Sequence, residues 1–101
     1  MAALEESEKL EKLKEGARKE VAKMKEVMQT LKVVAGRKDE ERVIVLKKLV
    51  DSYWIDAQHF LKEEKFLQAF EAAVIVWAYV DAGMHLGVFE VSEEVKKLFT
   101  V

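Results

Sequence analysis

Cysteine, proline and asparagine are absent from this sequence, and glycine occurs only four times. Without cysteine there is no disulfide and no thiolate metal site, which fits a cytoplasmic protein. Without proline no residue forces a break in a helix, and no Pro-, Gly- or Ser-rich linker divides the chain. Long apolar runs are missing too. The longest, Ala72–Val80, is bounded by Glu71 and Asp81 and is far shorter than the ~20 residues of a membrane span. The opening segment MAALEESEKL has neither the basic nor the apolar region of a signal peptide. No membrane partner is expected. Nor does either sign of charge dominate: 17 Lys and Arg stand against 19 Asp and Glu, net −2. The two signs are interspersed, so no basic face suited to phosphates emerges, and nucleic acid is not an expected ligand.

What is present is apolar and helix-forming. Half of the 101 residues are hydrophobic, which excludes disorder of the whole chain, and the length suits one domain spanning 1–101. The abundance of Glu and Lys with no Asn or Cys is the bias of proteins from very hot environments. A very helical protein of any source is also rich in Lys and Glu.

Taken in order, residues 4–35 read as one long amphipathic helix. Leu10, Leu13, Ala17, Val21, Met24, Met28 and Leu31 recur at steps of three and four. Several pairs lie eleven apart, a period that keeps the stripe on one side of a nearly straight helix. Gly36 is placed to end it, and Asp39 to cap the next. A second helix over 40–62 carries a seam of Val43, Leu46, Val50, Tyr53, Ala57 and Phe60, widened by Leu49, Trp54 and Leu61. The short charged turn Lys62–Lys65 folds it back onto a third helix over 66–86. Val88–Val91 reads as extended, and Ser92 caps a last short helix over 93–99. The expected fold is all-α: an up-down-up three-helix bundle with a long N-terminal helix and a short C-terminal helical tail.

The stretch from Ser52 to Val91 concentrates both Trp, both Tyr, both His and four of the five Phe. Tyr53, Ala57, Phe60, Phe66 and Ala69 are spaced as in a tetratricopeptide hairpin. Such arrays need about three repeats and only one copy is present, so the likeness is one of helix packing. A fuller resemblance rests on Asp56-Ala57 before an aromatic, the charged turn, Ala69-Phe70-Glu71-Ala72, Asp81-Ala82-Gly83 and Leu86-Gly87. Over about half its length the chain resembles a family of small archaeal helical proteins known as a domain of unknown function, numbered 357. The resemblance implies an archaeal source and a bundle of three helices, and no activity.

Candidates for chemistry are few. Asp56 and His59 lie one turn apart with Glu71 across the turn, and Asp81 and His85 stand at i,i+4. Such Asp/His sets can ligate metals. A hairpin folded about Glu64 puts the two sets about 18 Å apart along the axis, so they would not pool. The structural reading of each is a solvated polar edge or a helix-end ion pair, Asp81 with Lys47 or Arg42. No P-loop, dinucleotide fingerprint or Ser/His/Asp arrangement occurs, and no cofactor is expected. Trp54 and Trp77 fall on core positions.

Helix three carries more apolar surface than one neighbour can cover. Phe66, Phe70, Ala73, Val74, Trp77, Val80 and Met84 form a core face, while Ala72, Ile75, Val76 and Tyr79 fall largely outside it. Those four are the candidate interface, to be covered either by the C-terminal tail or by a second protein chain. The functional expectation is a non-enzymatic module working by self-association, for example as a homodimer, or with a protein partner. A metal or acid/base site on the Asp/His sets is one alternative. An accessory ligand-binding bundle beside a separate catalytic subunit is the other.

Overall fold

The computed structural model describes residues 2–99, with side chains from Glu5 onward; Met1, Thr100 and Val101 lie outside the described residues. Helix α1 (Ala2–Thr30) leads into a two-residue strand β1 (Lys32–Val33). Helices α2 (Glu41–Lys62) and α3 (Phe66–His85) follow, then strand β2 (Phe89–Glu90), helix α4 (Glu93–Lys96) and a 3-10 turn, Lys97–Phe99. The architecture is the expected all-α, up-down-up bundle, drawn out to 58 × 25 × 18 Å. Helix α3 is its centre: it packs along both α1 and α2, while those two touch each other little.

The core follows the helical periodicities. From α1 come Ala17, Val21, Met24 and Val27, from α2 Val43, Val50 and Ala57, and from α3 Phe66, Ala69, Ala72, Ala73, Val76 and Val80. Alanines at Ala57, Ala69 and Ala73 are fully buried, and their small volume lets the hairpin helices approach closely. The turn between them uses Glu64 in the left-handed region, at φ 61°. Beside it the Lys65 ammonium, by hydrogen bond and charge, holds the Glu63 carboxyl below its ordinary pKa.

Three details differ from the sequence reading. First, α1 ends at Thr30 rather than 35. Lys32 and Val33 pair antiparallel with Glu90 and Phe89, and the Val34 N–H donates to the Val88 carbonyl at 2.9 Å. Val33 and Val34 are β-branched and gain little by continuing a helix, whereas the extended tail offers them a ladder. Gly36 takes φ +90°, but in the turn after the strand rather than at the helix end. Second, Glu40 rather than Asp39 precedes α2, and its side chain makes no cap hydrogen bond. It bonds Arg37 instead, which holds the Glu40 carboxyl below its ordinary pKa. Third, Leu49 and Val74, read as core, are exposed. Ser92 does cap α4, accepting from the Val95 N–H at 3.3 Å.

Helix α1 outruns its supports. Phe66, the first residue of α3, lies against Lys14 and Arg18, 5.6 and 5.7 Å from its ring centre. Residues 5–12 are all exposed, including Leu10, which sits on the core stripe with nothing of the bundle to cover it.

Candidate functional site

The polar candidates do not assemble. Asp56 and His59 are exposed on α2, and His59 pairs with Glu63 at 3.0 Å. Glu71 is exposed on α3. Asp81 pairs with His85 at 3.4 Å on a side chain that is largely solvated. Lys47 pairs with Asp51 at 2.6 Å, so the expected Asp81–Lys47 contact is replaced by one within each helix. Among the described residues no three His, Asp or Glu side chains converge on a point where a cation could sit.

The apolar candidates are partly interior. Ala72 and Val76 are buried, Ile75 is half-buried, and the Tyr79 ring lies 5.9 Å from that of Tyr53 on α2. The four expected interface residues therefore include two closed inside the bundle, and Tyr79 is covered by α2. The reason is the central place of α3, which gives one flank to α1 and another to α2. The tail covers part of α3 as well: Phe89 packs against Gly83, four residues beyond Tyr79, Phe99 stacks on Trp77 at 5.5 Å with rings nearly parallel, and the Ser92 N–H donates to the Thr30 hydroxyl at 3.3 Å. The Trp77 indole N–H is buried there without a hydrogen-bond partner among the described residues, a cost of about 1–3 kcal/mol that the stacking must offset.

What remains open is the third side of α3. At 100° per residue, Leu67, Glu71, Val74, Ala78, Ala82 and His85 share one outward face, and all six are exposed. Leu67 is 52% and Val74 38% exposed, and Leu86, just past the helix end, is 68% exposed. By length and composition α3 is apolar enough to cross a membrane, yet only 39% of its most apolar window is buried. A helix apolar on all sides is normally enclosed on all sides. Leu67 and Ala82 were not among the residues expected on this side, although their spacing with Val74 was the available signal.

A second feature lies at the strand end. A groove of about 580 Å³ is lined by Val33, Ala35, Val43 and Ile44 together with Lys32, Lys38, Lys47, Lys48 and Glu90.

Comparison with known proteins bears on the fold. No family model matches the chain, and no curated protein matches it. The crystal structure of a protein from Archaeoglobus fulgidus, described by the family DUF357, is similar, with a TM-score of 0.64 at 20% identity over 82% of this chain and 97% of that one. At that identity the likeness speaks for a shared fold.

Proposed function

We propose that the chain is a cytoplasmic, archaeal member of the DUF357 family and acts without catalysis, as an association module, through the outward face of α3. The observation that carries the reading is the apolar row Leu67, Val74, Ala78 and Ala82, left uncovered on the most apolar helix of the bundle. Exposed apolar surface of that continuity marks an interaction site more often than it marks chance. Light scattering on the full chain across the micromolar range tests it. The expected mass is a multiple of 11.6 kDa; a strict monomer throughout that range would sink the reading.

The groove at the strand end favours a second reading, an accessory ligand-binding bundle. A lining of apolar side chains and four lysines suits a ligand with an apolar body and an anionic head. An anilinonaphthalene sulfonate probe should bind the folded chain and lose roughly tenfold in affinity in Lys38→Glu/Lys48→Glu, since like charge replaces attraction. Equal binding by the variant would remove this reading.

A further inference from the structure

The outward face of α3 is self-complementary about Ala78. Val74 stands four residues before it and Ala82 four after; Glu71 stands seven before and His85 seven after. Steps of four and seven keep all of them on one side of the helix. An antiparallel copy of the same helix, related by a two-fold axis through Ala78, would meet every position with its complement. Val74 faces Ala82 of the second copy, a larger side chain against a smaller one. Glu71 faces His85 of the second copy, a carboxylate against an imidazole, and the symmetry makes the pair twice. Leu67 and Leu86 lie 11 and 8 residues from Ala78, so Leu67 of one copy and Leu86 of the other fall within about one helical turn of each other. Ala78 at the axis lets the helices come near the short end of the usual ~8–10 Å separation.

We infer that this face binds a second copy of the chain, as an antiparallel, two-fold α3–α3 contact centred on Ala78. This rests on the association reading and names its partner. The charge arrangement argues for a copy over an unrelated protein. A face that mates with itself must carry opposite chemistry at equal distances from the axis, and Glu71 and His85 do so. Asp81 pairs with His85 within each chain, and Lys96 of the tail borders the same hollow, so His85 sits among both signs of charge and presents its imidazole outward. The flanks of α3 are already occupied by α1 and α2, which leaves this side free to stack two flat bundles back to back.

Two experiments on the full chain test it. His85→Glu places two carboxylates opposite each other twice and should weaken the dimer roughly tenfold in Kd, while Glu71→Lys removes the carboxylate that the imidazole faces and should weaken it by a smaller factor. The double variant Glu71→Lys/His85→Glu restores opposite charges and should return to within about threefold of the parent. Because the chain has no cysteine, Ala78→Cys supplies a single thiol at the axis. It should form a disulfide-linked dimer on mild oxidation, since a symmetric contact there brings the two Cβ atoms to about 4 Å. Gln58→Cys, on α2, should not. A parent dimer indifferent to the charge exchange, or crosslinking no faster through Ala78→Cys than through Gln58→Cys, would overturn this contact and leave association by another face. A parent monomer would overturn both. All four positions are exposed in the single chain, so unchanged far-ultraviolet circular dichroism would show that the variants still fold.

Discussion

Gly83→Val is expected to destabilise the fold by about 3 kcal/mol, the sum of an overpacking strain and the partial expulsion of a buried aromatic ring. A Cβ built at Gly83 would stand 2.1 Å from Cδ2 and 2.8 Å from Cγ of Phe89. Phe89 is 3% exposed and its ring cannot swing aside in place, because Cδ2 and Cγ, at the root of the ring, are in the way. It must leave, and with it goes strand β2, which pairs Phe89 with Val33. The expected readouts are a fall in melting temperature of roughly 15 °C and a change in Trp77 fluorescence as the tail that carries Phe99 loosens. Phe89→Ala alone should cost about 3–5 kcal/mol through the cavity it leaves. Once the ring is gone Gly83→Val has room, so the double variant should be no worse than Phe89→Ala. Simple additivity would mean that the two residues are not in contact. Gly16 is the control. A Cβ there meets Phe70 at an ordinary 3.7 Å, so Gly16→Ala should stabilise by about 1 kcal/mol through helix propensity alone.

That contrast shows what a sequence can carry. Both glycines lie inside strong helical patterns, and nothing local separates them. Nothing near Gly83 in sequence marks its role, since the residue that demands its missing side chain is Phe89, brought back by the turn at Gly87, φ +72°. The helices themselves were legible because their stripes at three and four are local and long: Ala17, Val21 and Met24 in α1, and Val43, Val50 and Ala57 in α2, are buried as their spacing requires. Where a non-local partner competes, local pattern loses. Val33 and Val34 continue an amphipathic run, yet the segment Val88–Phe89, more than fifty residues away, claims them. The candidate site suffered the same way. That α3 had too much apolar surface could be counted from its residues. Which arc would be left open depended on where α1 and α2 lie around it, and the register of Tyr53 on Tyr79 is a tertiary fact.

Met24→Ala should cost about 3 kcal/mol, while Leu10→Ala, on the same stripe of the same helix, should cost less than about 1 kcal/mol. Met24 is fully buried and among the largest side chains with no exposure. Truncating it leaves a cavity in the seam between α1 and α3 that close-packed neighbours fill only in part. Leu10 is 49% exposed, beyond the point where Phe66 begins α3, so its removal forfeits little contact. Urea titrations of the two variants read the difference directly, as a large shift in midpoint for one and a small shift for the other at unchanged slope. Amide exchange should follow the same gradient, fast before Leu13 and slow from Ala17 to Val27. Equal costs at the two positions would contradict an overhanging α1 and would mean that its first turns are packed in solution. None of the described residues packs on residues 5–12 closely enough to bury them, so that packing would come from another molecule. The Leu10→Ala measurement at low and high protein concentration therefore separates an arm that is bare from one that a partner covers: a cost that grows with concentration belongs to the assembly, and a constant small one to the single chain.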